Sequence, residues 1–262
     1  MLRGNLKQIL MIIATPFLFA IMWSLFAPLF LLPSINEIGN AFIFMIKNGT
    51  YFHDILISSI RALAGFFIGL FLGVIIGVLT GRFPKFFTIS GGLLMFLRWT
   101  PVLAILPLTI RIGGLGESPK IFLIAWACFF IVWIYTHVAV NKLNDSYLWW
   151  SKSLGLTLKQ KIFKILVPAV APSLIGAARA CLAIAMIVVV AAELSGTLQS
   201  GFFRDGLGYR ISRAIETNRN DINIACIITF GVIGILYDFI FLQLIKRVLK
   251  PLTGIDFLRD AN

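Results

Sequence analysis

Acidic charge is scarce in this chain. Only 11 of its 262 residues are Asp or Glu, and charged residues of both signs make up 13%, against about 25% in a typical soluble domain. That excludes an ordinary water-soluble fold. Histidine and cysteine are rarer still, with two and three copies. His53 and His137 fall near opposite membrane surfaces, and Cys128, Cys181 and Cys226 each sit inside a long apolar run. Neither set has metal-ligand or redox spacing, so the cysteines read as small apolar packing residues. A membrane enzyme would need convergent acids, histidines or a metal set, and the candidates are few. No Gly-x-x-x-x-Gly-Lys-Ser/Thr run occurs, so this chain cannot supply a Walker-type phosphate cradle itself.

What the chain does have is apolar length. Hydrophobic residues make up 59%, with 24 phenylalanines, and six segments reach the roughly 20 apolar residues that cross a bilayer. They run over about 9–32, 55–81, 86–110, 120–140, 167–192 and 222–245. This predicts an all-α polytopic membrane protein of one domain, 1–262. The net charge of +12 does not indicate nucleic acid, because the cations punctuate the apolar runs instead of forming one basic face. Basic loops stay in the cytoplasm. Placing both termini there puts Arg82 and Lys85, the stretch Lys142 to Lys164, and Lys246, Arg247, Lys250 and Arg259 inside. The segment from Gly196 to Asp221 then lies outside despite Arg204, Arg210, Arg213 and Arg219, with Asp205, Glu216 and Asp221 offsetting part of that charge.

The largest internal loop holds the run SLGLTLKQKIFKILVPAVAP. Leu154, Leu158, Ile162 and Ile165 recur at helical spacing, with Lys152, Lys159 and Lys161 elsewhere on the wheel, which predicts an amphipathic helix over about 149–165. Such a helix can lie on anionic lipid. The placing of Gly155 and Val167-Pro168 instead resembles the signature loop of bacterial ABC importer permeases, in which Glu-Ala-Ala leads to a glycine and then Ile-x-Leu-Pro. Trp149-Trp150-Ser151 stands where Glu-Ala-Ala is expected.

Further landmarks follow in order over about residues 30–250: LLPSINEI, SSIRALAGFFIG, FLRWTPVLAILPL, GLGESPKIFLIA, VVAAELSG and GLGY. Together they resemble the nitrate, sulfonate, taurine and bicarbonate branch of those permeases. The resemblance implies a type I importer fold of six spans in the bacterial inner membrane, with both termini cytoplasmic. It makes Trp150, Ser151, Leu154, Gly155, Lys159 and Pro168 part of a coupling helix that docks on a separate ATP-binding subunit. It further implies two such subunits carrying ATP and Mg, a second copy of this chain and an external binding protein, with no cofactor on this chain and no nucleic acid.

An ionisable group inside a span costs about 2.5 kcal/mol or more, so it faces a cavity or a partner. Arg61 and Glu193 lie at comparable depth, so Arg61 is either a cation of an anion pathway or a packing partner of Glu193. Arg98, just before Pro101, can serve the pathway or the carbonyls of a broken helix. Arg179, with Gly176 a turn earlier, matches the family's Gly-x-x-Arg and is open to the same two readings. Arg61, Arg98, Pro101, Arg179 and Glu193 are thus the pathway candidates. Guanidinium matches oxoanions through paired hydrogen bonds, which favours a small anion as substrate. A neutral or cationic heterocycle such as a thiamine precursor, or an ATP-independent transporter, remains the alternative.

Overall fold

A computed structural model describes residues 14, 18, 20–114, 116–143, 153, 155–161, 165–196 and 205–253. Among these residues every regular element is helical. Helix α1 (Ala20–Phe30) ends in a 3-10 turn and bends by 93° into α2 (Ile35–Lys47). Then come α3 (Tyr51–Arg82), α4 (Pro84–Trp99) and α5 (Leu106–Gly113), followed by α6 (Glu117–Asn141) and the short α7 (Leu158–Lys161). Helices α8 (Val167–Gly196), α9 (Leu207–Glu216) and α10 (Asn220–Thr253) complete the chain. Four helices, α3, α6, α8 and α10, are long and apolar enough to cross a membrane, or up to six spans if each bent pair counts as one.

The breaks have local causes. Ser34 starts α2 with a capping box: its hydroxyl accepts from the Glu37 amide at 3.3 Å, and the Glu37 carboxylate accepts from the Ser34 amide at 2.7 Å. Such reciprocal capping favours a new helix start over continuation of the old one. The expected span at 86–110 is interrupted where α4 meets the turn Val102–Ile105 and α5, with a bend of 96°. Thr100 precedes Pro101 and takes the extended backbone (φ −69°, ψ 126°) that a residue before proline favours, which ends α4.

Helix α3 lies against α6 so closely that its glycines admit no side chain. A Cβ added at Gly65 would sit 2.5 Å from Ile124 Cβ, at Gly69 2.6 Å from the Ala125 carbonyl, and at Gly77 2.5 Å from Thr136 Cβ. Small residues at every fourth position let the two backbones meet, and dispersion replaces the hydrophobic drive that lipid cannot supply. Phe66, Leu123, Ile124, Val132 and Cys128 fill the seam and continue into Cys181, Ala185 and Val189 of α8. The three cysteines are free and buried. Trp133 Nε1 donates to Thr80 Oγ1 at 3.1 Å, and Tyr51 shares a 2.6 Å hydrogen bond with Thr229.

Candidate functional site

Two groups of charged side chains sit on α8, near its C-terminal end and near its middle. At the end, Glu193 is 3% exposed and Arg61 of α3 is 3% exposed. Arg61 Nη1 donates to Glu193 Oε1 at 2.6 Å and to the Asp205 carbonyl at 2.8 Å, while Nη2 donates to Glu117 Oε1 at 2.6 Å and Nε pairs with Glu117 Oε2. Ser58 Oγ lies 2.9 Å from both oxygens of Glu193, and the Gly208 amide donates to Glu193 Oε2 at 2.8 Å. Lys120 reaches Glu117 at 3.5 Å. Each buried charge is therefore both paired and hydrogen-bonded, as burial demands.

The same hub fastens the connection before α9. The Leu207 amide donates to Ser58 Oγ at 2.9 Å, the Gly206 amide donates to Asp54 Oδ1 at 3.1 Å, and Arg210 clasps Asp54 through Nε at 2.8 Å and through Nη2. Only glycine fits at the crossing. Gly206 has φ +114°, and an added Cβ would meet Glu193 Oε1 at 2.6 Å and Arg61 Nη1 at 2.7 Å; at Gly208 it would meet Glu193 Cβ at 2.6 Å. The GLGY landmark thus lays its backbone directly against the buried carboxylate.

Near the middle of α8, Arg179 Nε and Nη2 donate to the two carboxylate oxygens of Asp238 on α10, at 2.7 and 2.8 Å. This is the planar fork-to-fork geometry of an Arg–carboxylate pair. Unlike the hub it is open, with side chains 42% and 36% exposed.

The remaining candidates are scattered. Arg98 is exposed at the end of α4, its guanidinium 5.8 Å from the Trp99 ring centre, and Pro101 is at the break. Gly155 takes φ +62°. Beyond it, Thr157 and Gln160 cap α7 reciprocally, at 2.9 and 3.4 Å, and Lys159 lies in that helix. Pro168 is the second residue of α8. Trp150, Ser151 and Leu154 lie outside the described residues.

Sequence reasoning weighed the intramembrane cations and Glu193 but passed over Asp54, Ser58, Glu117 and Asp238. For Asp238 a signal existed: it is an acid inside the last apolar run, subject to the same argument that singled out Arg179. For Ser58 there was none, since a serine in a span is common and its partner is 135 residues away.

Similarity to known proteins fits this architecture. The family described as binding-protein-dependent transport system inner membrane component matches residues 65–250. An ABC transporter permease of Methanocaldococcus jannaschii is 30% identical over 243 residues, 89% of each chain. A protein named as an aliphatic sulfonates transport permease in Bacillus subtilis is 32% identical over 205 residues, 78% of this chain and 72% of that one. Among solved structures, the MetNI methionine ABC transporter in an inward-facing conformation superposes with a TM-score of 0.56 at 18% identity, covering 78% of this chain and 96% of that chain. That likeness speaks to the fold, a type I importer permease.

Proposed function

Because this chain belongs to the family of binding-protein-dependent transport system inner membrane components, and so is a multi-pass permease subunit of an ABC importer and not an enzyme, we propose that two copies of it form the pathway for a small oxoanion-bearing substrate. The candidates are nitrate, an alkyl sulfonate or taurine, and bicarbonate. The observation that carries the reading is a family match over 65–250 on a chain whose mid-span Arg179 opens to the outside of its own bundle. A guanidinium there presents paired donors to an oxoanion.

ATP and Mg bind to two separate ATP-binding subunits on the cytoplasmic side, where both termini also lie in the bacterial inner membrane. Their closure is transmitted through residues 149–165, with Gly155 supplying the left-handed turn at which the docking helix begins. An external binding protein delivers the substrate to the opposite face, near α9 and its exposed cations.

The test is a mild-detergent pull-down of the tagged chain from its native membrane, with the co-purifying proteins identified and counted. An ATP-binding subunit in stoichiometric amount, lost when Gly155 is replaced by Val, is the expected result. A chain that purifies alone, under conditions that keep other membrane complexes intact, would sink the importer reading.

A further inference from the structure

The Arg179–Asp238 pair is in an unusual position for two charges that are not buried. At 1.5 Å per residue, Arg179 is about 18 Å from Val167 and about 22 Å from Leu194, the ends of its span, and Asp238 is about 10 Å from Ile245. Lipid at that depth is a poor neighbour for a half-exposed guanidinium and carboxylate. Something else must lie against them.

The residues around the pair indicate what. The uncovered face of α8 carries Pro172, Gly176, Arg179, Ala180 and Ala183 before the large Ile187, so the exposed apolar residues within about a turn of Arg179 are small. A Cβ added at Gly176 meets nothing within 4 Å, and the same holds for Gly231 and Gly234, seven and four residues before Asp238 on α10. These glycines are not needed for packing within the chain. Elsewhere the exposed apolar surface is made of large side chains, such as Phe67 and Phe71 on α3, and Ile235 and Phe239 also stand exposed on α10, three residues before Asp238 and one after it. The small residues beside the ion pair therefore leave room for something to pass.

Resting on the reading that this chain forms a translocation pathway, we propose that Asp238 is a specificity-determining residue of that pathway. It makes the Arg179 site electrically neutral, and so selects short zwitterions carrying an oxoanion and an ammonium over simple anions of the same size. The pair as it stands occupies both arms of the Arg179 fork. A simple anion that takes the guanidinium must push Asp238 aside and then lie next to a like charge that has lost its partner, which disfavours it. A zwitterion can open the pair and satisfy both halves, oxoanion to Arg179 and ammonium to Asp238, with no charge left over.

Taurine and isethionate are the probes: both are two-carbon sulfonates, one ending in an ammonium and the other in a hydroxyl. Uptake of each is measured in the intact importer, with its own ATP-binding subunit and binding protein. Each variant is compared with the parent, so that the binding protein's preference cancels. Asp238→Asn is expected to lower the taurine-to-isethionate ratio about tenfold, the scale of one lost charge-assisted hydrogen bond. Asp238→Glu, which keeps the charge, is expected to retain the parental ratio, and both variants should assemble at parental levels. An unchanged ratio in an assembled Asp238→Asn importer, or a ratio lost equally in Asp238→Glu, overturns the proposal.

The pathway reading is checked separately. Asp238→Cys is treated with a water-soluble, membrane-impermeant thiosulfonate, with the parent and its buried cysteines as background. Labelling that taurine slows is expected. Absence of labelling, or uptake of neither sulfonate by the parent, defeats the pathway reading and this proposal with it. Labelling with an unchanged uptake ratio leaves the pathway standing and removes the selectivity assigned to Asp238.

Discussion

Helix α8 carries one charge of each of two ion pairs, and the two could hardly be built more differently. Glu193 is sealed: arginine, serine and a backbone amide surround it, and both it and Arg61 are 3% exposed. Arg179 has one partner, Asp238, and the pair is open on one side. A buried charge needs every lone pair satisfied, so the sealed pair ties α3, α6, α8 and the connection before α9 into one body. The open pair holds two helices together and leaves hydrogen-bonding capacity facing outward. The glycines repeat the contrast: those of α3 are filled to contact by α6, whereas Gly176 borders open space. The closed sites hold the architecture together, and the open pair is the one to which we assign the substrate.

The contrast can be tested by destroying one side at a time. The largest effect is expected at the hub. Glu193→Ala takes one of the two carboxylates from buried Arg61 and leaves Ser58 and the Gly208 amide without their buried acceptor, and removing one partner of a buried pair costs about 3–5 kcal/mol, a large part of the 5–15 kcal/mol that typically holds a protein folded. Thermal unfolding in detergent should show a lowered midpoint and the membranes a reduced yield; a variant as stable as the parent would mean that the hub does not hold the bundle.

Next come the crowded glycines. Gly69→Val places a branched side chain where even a Cβ would be 2.6 Å from the Ala125 carbonyl, and backbone cannot move aside cheaply. Overpacking of this kind costs about 1–3 kcal/mol, to be read as a drop in the unfolding midpoint of the purified chain. Gly206→Ala, strained at φ +114° and pressed against Glu193, should fall in the same range of about 1–3 kcal/mol.

The open pair should matter far less for stability. Arg179→Gln is expected to cost no more than about 1 kcal/mol, the range of half-exposed ion pairs, while uptake drops in an importer that still assembles. A loss as large as that of Glu193→Ala would make the pair structural after all. Smallest of all, Gly176→Ala should change stability by less than about 0.5 kcal/mol. A clear loss there would mean that a second copy packs against that face as tightly as α6 packs against α3.

Much of this was legible along the chain, because membrane helices announce themselves through length and apolarity. The runs at 120–140 and 167–192 correspond to Glu117–Asn141 and Val167–Gly196, since in lipid a single segment can satisfy its own backbone only as a helix. The break at Thr100-Pro101 was written locally by proline, and the start of α2 by Ser34 and Glu37. Glycine at every fourth position of α3 is itself a pattern of the sequence, and the order of short landmarks pointed to the family.

Other features left no trace in one dimension. Arg61 and Glu193 are 132 residues apart, and their depth in the membrane allowed a pairing without requiring it. Nothing in the spacing told that Gly206 had to be bare so that the chain could pass over their junction, or that Ser58 would bridge Glu193 and the Leu207 amide. Asp238 stood in plain view as an acid among apolar residues, but its partner depended on how α8 and α10 turn toward each other. Patterns of period and polarity are properties of single helices, so they are set by neighbouring residues and can be read from them. Which charge is sealed and which is left open depends on the relative rotation of helices distant in sequence, and that is decided where their surfaces meet.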